Sequence, residues 1–127
     1  PNDRYIMRLS ETYLLRAEAY FHKGDLANAA NDINVVRGRA QAKPVQPGQI
    51  SLDYILDERM RELVVEEPRR KTLVRLNKLY ERTMKYNFRV KDNMEPYHEL
   101  WPIPQTAIDA NTGAKLLQNP GYPGAAE

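Results

Sequence analysis

Three carboxylates, Glu58, Glu62 and Glu66, recur at four-residue spacing within the run Asp57-Glu-Arg-Met-Arg-Glu-Leu-Val-Val-Glu-Glu-Pro-Arg-Arg70. On a helix that spacing sets them in one row. Glycoside hydrolysis uses two carboxylates, but they face each other across a sugar in a cleft. A single row supplies no opposing partner. Arg59, Arg61, Arg69 and Arg70 lie close enough in sequence to pair with it. The row is therefore expected to form a structural ion-pair network tying a third helix to a fourth.

Two further groups could carry chemistry. His22 and His98 are far apart, and neither has a His, Cys or carboxylate at metal-ligand spacing. His22 falls in the last turn of a helix, where such side chains commonly cap carbonyls. The aromatic set Tyr97, Trp101 and Tyr122 resembles the rings that stack on the apolar face of a sugar. Trp101 precedes Pro-Ile-Pro, which fixes an extended backbone. It either presents the ring to solvent or pins the tail onto the helices, and packing is the expected role for this lone tryptophan. No nucleophile elbow, phosphate loop or dinucleotide fingerprint occurs. No catalytic, cofactor or metal residue is assigned, and no ligand-binding residue is named.

The chain has 127 residues, enough for one domain with a core but short for a complex enzyme. It contains no cysteine, which removes disulfides and thiolate metal sites and leaves the compartment open. Its 19 Lys and Arg against 17 Asp and Glu give a net charge of +2, too balanced for a nucleic-acid footprint. It starts at Pro1 without Met or an apolar leader, and is expected to be an internal or carboxy-terminal piece of a longer product.

Four helices and an irregular tail are expected to position these groups. The first spans Arg4 to His22, with Gly24 in the left-handed conformation at its end and Asp25 capping the second, which runs to Arg39. Tyr13, Ala17 and Tyr20 share one face of the first; Ala29, Ile33 and Val36 form the matching face of the second. Residues 1–40 thus read as a hairpin with tetratricopeptide (TPR)-like spacing. Such a unit cannot bury its own apolar face without neighbours. Gln41–Gln49 is a loop. Ser51 caps a third helix that carries Asp53 in its first turn, buries Leu52, Ile55, Leu56, Leu63 and Val64 with Met60 at the edge, and stops near Glu66 before Pro68. A fourth helix follows to Tyr86, with Leu73, Leu76, Tyr80 and Thr83 on one face, so 51–86 forms a second hairpin. Residues 87–127 hold five of nine prolines and three of six glycines, and are expected to wrap the helices as extended chain and turns.

Four blocks together resemble the SusD/RagB family. They are Arg8-Leu-Ser-Glu-Thr-Tyr-Leu-Leu-Arg-Ala-Glu-Ala-Tyr20, Asp32-Ile-Asn-Val-Val-Arg37, Ile55-Leu-Asp-Glu-Arg-Met-Arg-Glu-Leu63, and in the tail Pro102-Ile-Pro-Gln-Thr106 with Gln118-Asn-Pro-Gly-Tyr122. The family comprises surface lipoproteins that feed glycans to TonB-dependent outer-membrane transporters. The resemblance implies an all-α protein on a TPR-like scaffold, of which this chain is the carboxy-terminal portion. It implies a non-catalytic scaffold and docking role at the Gram-negative cell surface in polysaccharide utilisation and nutrient uptake. The implied partners are a SusC-like transporter and an oligosaccharide bound mainly by parts of the protein not present here, with a lipid anchor on the missing amino terminus. Two departures stand out. Glu67 to Leu73 keep only Arg69 and Leu73 of the family's usual pattern, and Ala107 stands where Glu is common. The residues alone leave two alternatives: a free-standing TPR-like adaptor gripping a peptide, and, more remotely, a glycoside-acting enzyme.

Overall fold

A computed structural model describes residues 7–125, and its regular structure is helical. Six α-helices and three 3-10 turns are present among the described residues, with one isolated bridge between Gln118 and Ala125 and no named strand. The expected all-α class holds. The chain divides into two compact units after Glu67.

The first unit holds α1 (Leu9–His22), α2 (Leu26–Arg39), a 3-10 turn at Pro47–Gln49 and α3 (Leu52–Glu62). The start expected at Arg4 lies outside the described residues, but Met7 and Arg8 precede the helix, and Arg8 is extended (φ −106°, ψ 157°). Gly24 does take the left-handed conformation, at φ +78°. The Asp25 N–H then donates to the Tyr20 carbonyl and the Gly24 N–H to that of Phe21, each at 2.9 Å, closing the helix in a Schellman motif. The same closure ends α2, where Gln41 at φ +54° donates to Gly38 and Ala42 donates to Arg37. Asp25 caps α2 as expected, accepting from the Asn28 N–H at 3.1 Å and from its side-chain amide at 2.7 Å. These bonds hold its carboxyl below the ordinary range. Ser51 caps α3 through the Tyr54 N–H at 3.1 Å.

Packing follows the small residues. Ala17 and Ala29 are completely buried between α1 and α2, together with Leu14 and Ile33. Tyr13 and Tyr20 pack half-buried against that core. The loop after α2 is drawn onto it by one side chain. Asn34 accepts the Val45 N–H at 2.8 Å and donates to its carbonyl at 2.9 Å, which buries Val45.

α3 packs on α1 and α2 within this unit, and the expected hairpin over 51–86 straddles the division between units. α3 also ends at Glu62 rather than Glu66. Leu63 to Glu67 form a turn with Val65 at φ +69°, an uncommon conformation for a β-branched residue, and Val65 is almost wholly exposed. Ile55, Leu56 and Leu63 are buried as expected, but the break swings Val64 out to solvent.

The second unit contains α4 (Arg69–Arg75), α5 (Leu79–Tyr86), 3-10 turns at Lys91–Asn93 and Pro96–Glu99, and α6 (Gln105–Ala110). The single fourth helix expected to Tyr86 is thus two. Asn77, at φ +52°, closes α4 in a third Schellman motif, with Lys78 donating to Leu73 at 2.8 Å and Asn77 to Val74 at 3.0 Å. Asparagine tolerates this conformation better than most residues. α5 restarts under a remote cap, since the Tyr80 N–H donates to the Glu99 carboxylate at 3.1 Å. The tail is mostly irregular as expected, although α6 and the two 3-10 turns give it short helical pieces.

The alanine contact between α1 and α2 is testable. Ala29→Leu has no space to enter and should cost about 1–3 kcal/mol through overpacking. Thermal unfolding followed by circular dichroism should show a clearly lower midpoint, and an unchanged one would refute this packing.

Candidate functional site

The carboxylate row is recruited into the first unit. The buried Glu58 carboxylate accepts from Arg37 Nη1 at 2.8 Å and from Arg61 Nη2 at 2.6 Å. Glu62 meets Arg8 Nη1 at 3.0 Å and also pairs with Arg39. Glu66, off the helix and exposed, accepts from Arg8 Nε at 2.5 Å. That hydrogen bond is the main reason the Arg8 guanidinium holds its proton more tightly than usual. Arg59 is buried to 1% exposure and donates through Nε and Nη2 to Glu67 at 2.9 and 2.6 Å, with Glu11 at 3.4 Å.

The expected ion-pair network therefore exists: Arg61 pairs with Glu58 as expected, and Arg8, Arg37 and Arg39 join the row from outside α3. It ties α3 to α1 and α2 through Arg8, Arg37 and Arg39. Arg59 can reach Glu67 because α3 ends early. In a continuous helix Glu67 would stand eight residues, roughly 12 Å, along the axis from Arg59. The turn at Val65 brings it back. Another fork joins the hairpin itself: Arg16 grips the buried Asp32 through Nε and Nη2, both at 2.7 Å. This contact raises the Arg16 pKa further.

Neither histidine takes part in a ligand cluster. His98 Nδ1 accepts the Glu95 N–H at 2.9 Å and closes the Pro96–Glu99 turn. His22 lies exposed in the last turn of α1, with its ring centroid 5.4 Å from that of Phe21. Among the described residues no group of three His, Cys, Asp or Glu is arranged to hold a metal ion, and no helix is long and apolar enough to cross a membrane.

The tail's aromatic set is organised by carboxamides that sequence reasoning did not single out. Gln118 accepts the Ile103 N–H at 2.6 Å and donates to the Ile103 carbonyl at 2.8 Å. Asn119 donates to the Trp101 carbonyl at 2.7 Å, and the Tyr122 hydroxyl to that of Leu100 at 2.8 Å. One turn thus clamps the extended stretch from Leu100 to Pro104, joining the two tail motifs quoted above. The signal was present in Gln118-Asn-Pro-Gly-Tyr122, whose Pro-Gly pair marks a turn with two carboxamides before it. Gly121 sits at φ +87° against the Tyr97 ring, which in turn lies edge-on to Tyr122 with centroids 4.9 Å apart.

Trp101 is not buried by this arrangement. The residue is 70% exposed, and the Arg70 guanidinium stacks over its ring, 4.1 Å from the centroid, in a cation–π contact. Arg70 is held there by its Nη2 bond to the His98 carbonyl at 2.6 Å. The clamp therefore presents an indole on a fixed, extended backbone. A ring so held can stack on an apolar surface such as a sugar face.

Residues 2–122 match the SusD family. The chain is 36% identical over 124 residues to the starch-binding protein SusD of Bacteroides thetaiotaomicron, a match covering 92% of this chain and 21% of that protein. It is 34% identical over 119 residues to the SusD-like protein P25 of Formosa agariphila, covering 87% of this chain and 23% of the relative. The chain thus spans about a fifth of the length of the curated relatives it matches. No solved structure matches it significantly.

Two substitutions probe this geometry. Glu58→Ala strands the mostly buried Arg37 guanidinium and should cost about 3–5 kcal/mol, whereas Glu81→Ala in the exposed Lys78–Glu81 pair should cost under ~1 kcal/mol. Chemical denaturation of both variants checks the contrast, and equal effects would refute it. Gly121→Ala would place a methyl 2.2 Å from the Tyr97 ring. It should destabilise the tail by at least about 1–3 kcal/mol and alter its tyrosine near-ultraviolet dichroism.

Proposed function

Since the chain belongs to the SusD family, we propose that it is a non-catalytic scaffold and docking portion of a longer cell-surface glycan-binding protein. That protein captures oligosaccharide and delivers it to a TonB-dependent, SusC-like transporter in the outer membrane, to which a lipid anchor elsewhere in the polypeptide tethers it. The α1–α2 hairpin serves as a TPR-like scaffold, and the glycan is held mainly by sequence outside residues 1–127. The observation that carries this reading is the identity to a starch-binding protein over nine-tenths of the chain. The match includes the clamped tail, which a free-standing peptide-binding hairpin would not require. Charge geometry supports the non-catalytic role. Glu58 and Glu62 are each held by two guanidinium groups along one helix, which leaves neither as a proton donor facing an opposing carboxylate.

Calorimetric titration with malto-oligosaccharides and a wider glycan panel tests the proposal. The complete polypeptide should bind at least one oligosaccharide, while residues 1–127 alone should give weak heats or none. Chromogenic glycosides should stay intact with either protein, and Glu62→Gln should change stability without removing any turnover. Failure of the complete polypeptide to bind any glycan would overturn the reading. So would tight binding by residues 1–127 that Trp101→Ala abolishes, or hydrolysis lost in Glu62→Gln.

A further inference from the structure

A cavity of about 480 Å³ opens beside the loop between α2 and α3, within the first unit. Arg37, Lys43, Val45, Gln46, Gln49 and Tyr54 line it. That volume falls within the range of small-molecule sites. Its walls are held in place by bonds of their own. Asn34 pins both backbone groups of Val45, and Arg37 Nε donates to the Lys43 carbonyl at 2.8 Å. The Gln49 side-chain oxygen accepts the Gln46 N–H at 2.9 Å, which closes the Pro47–Gln49 turn. Tyr54 is set by the first turn of α3 and packs half-buried on the core, with the Arg61 guanidinium 5.7 Å from its ring centroid. Walls fixed in this way spare a ligand the cost of ordering them.

The polar groups left over in this cavity are mainly donors. Both charged residues of its lining are cations, and no carboxylate lines it. Arg37 gives Nε to a carbonyl and Nη1 to Glu58, which leaves Nη2 without a bond among the described residues. Glu58 also serves Arg61, so one carboxylate answers two guanidinium groups. Lys43 is exposed, and its ammonium joins no ion pair or hydrogen bond among the described residues. Gln49 adds the two N–H groups of its amide, because its oxygen is already engaged. Such donors suit an anion. Tyr54 and Gln46 suit something larger than an inorganic ion. A pyranose offers an apolar face to an aromatic wall and hydroxyls to a carboxamide.

We propose that this cavity is a subsite for an acidic sugar, whose carboxylate or sulfate meets Lys43 and Arg37 while its ring lies against Tyr54. The inference deepens the glycan-binding reading and rests on it. It adds a weak, charge-reading contact within residues 1–127, beside a glycan held mainly by other sequence.

Calorimetric titration of the complete polypeptide with glucuronate, a glucose monosulfate, glucose and an N-acetylated dipeptide tests it. One or both acidic sugars should bind, and glucose should bind roughly tenfold more weakly, the worth of one charge-assisted hydrogen bond. Lys43→Gln should weaken the acidic sugar by about the same factor, and Lys43→Arg should retain it. The Lys43 side chain supports no other group among the described residues, so both variants should keep the parent's circular dichroism and melting midpoint. Preference between the two anions identifies the source, a uronic acid or a sulfated sugar. Glucose bound as tightly as glucuronate and the monosulfate, an unchanged affinity in Lys43→Gln, or a dipeptide bound as tightly as the acidic sugars overturns the subsite. Oligosaccharide binding without Lys43-dependent capture of an acidic sugar overturns the subsite alone and leaves the functional reading standing. Lys43-dependent capture in a polypeptide that binds no oligosaccharide would instead sink the functional reading and leave the subsite standing.

Discussion

A guanidinium group sits in the middle of the first unit's packing, and the neighbouring structure is arranged around neutralising it. Arg59 is 1% exposed. Leaving a buried charge without a counter-charge costs several kcal/mol, so the fold must deliver carboxylates to it. Glu11 comes from α1, and Glu67 comes from beyond the end of α3. The second delivery requires α3 to stop after Glu62, and the chain accepts a strained Val65 to achieve it. Strain of that kind costs roughly 1–3 kcal/mol, less than an unpaired interior arginine.

The same constraint limits how the unit's helices can pair. Buried ion pairs are a poor source of net stability, but they tolerate few alternative arrangements. Glu58 and Glu62 engage arginines from the last turn of α2 and from the residue before α1, so the register of three helices is set by fork geometry as well as by alanine packing. The tail achieves its order differently, by pairing backbone groups with side-chain amides.

Legibility in the sequence followed the range of the interactions. The α1–α2 hairpin was readable because its signals are local: Gly24 ends one helix, Asp25 starts the next, Ala17 falls at helical spacing with Tyr13 and Tyr20, and Ala29 does so with Ile33 and Val36. The blocks shared with the SusD family identified the chain even where single elements were misjudged. The end of α3 was misplaced because the group that ends it, Glu67, acts on a side chain eight positions back. The break at Asn77 had a local signal, but a continuous apolar pattern through Leu73, Leu76 and Tyr80 outweighed it. Trp101 was expected to pack because lone tryptophans usually do, and its exposure depends on Gln118 and Asn119, distant residues that fix the backbone beneath it. The carboxylate row was read as part of an ion-pair network, which the structure contains, yet Arg37 and Arg39 could not be named as its partners without the packing of α2 against α3.

Asn34 holds the α2–α3 loop and Gln118 holds the tail by one device, a carboxamide that takes both the N–H and the C=O of a single residue, as a neighbouring strand would. These attachments carry no net charge. Dissolved salt weakens the outer members of the helix network, where Arg39 and Arg61 are more than half exposed, but has little purchase on a neutral amide pair. The chain is therefore fastened by two classes of joint with different sensitivities to its medium. In brine the arginine joints slacken first, while the loop over α2 and the strip beneath Trp101 keep their alignment.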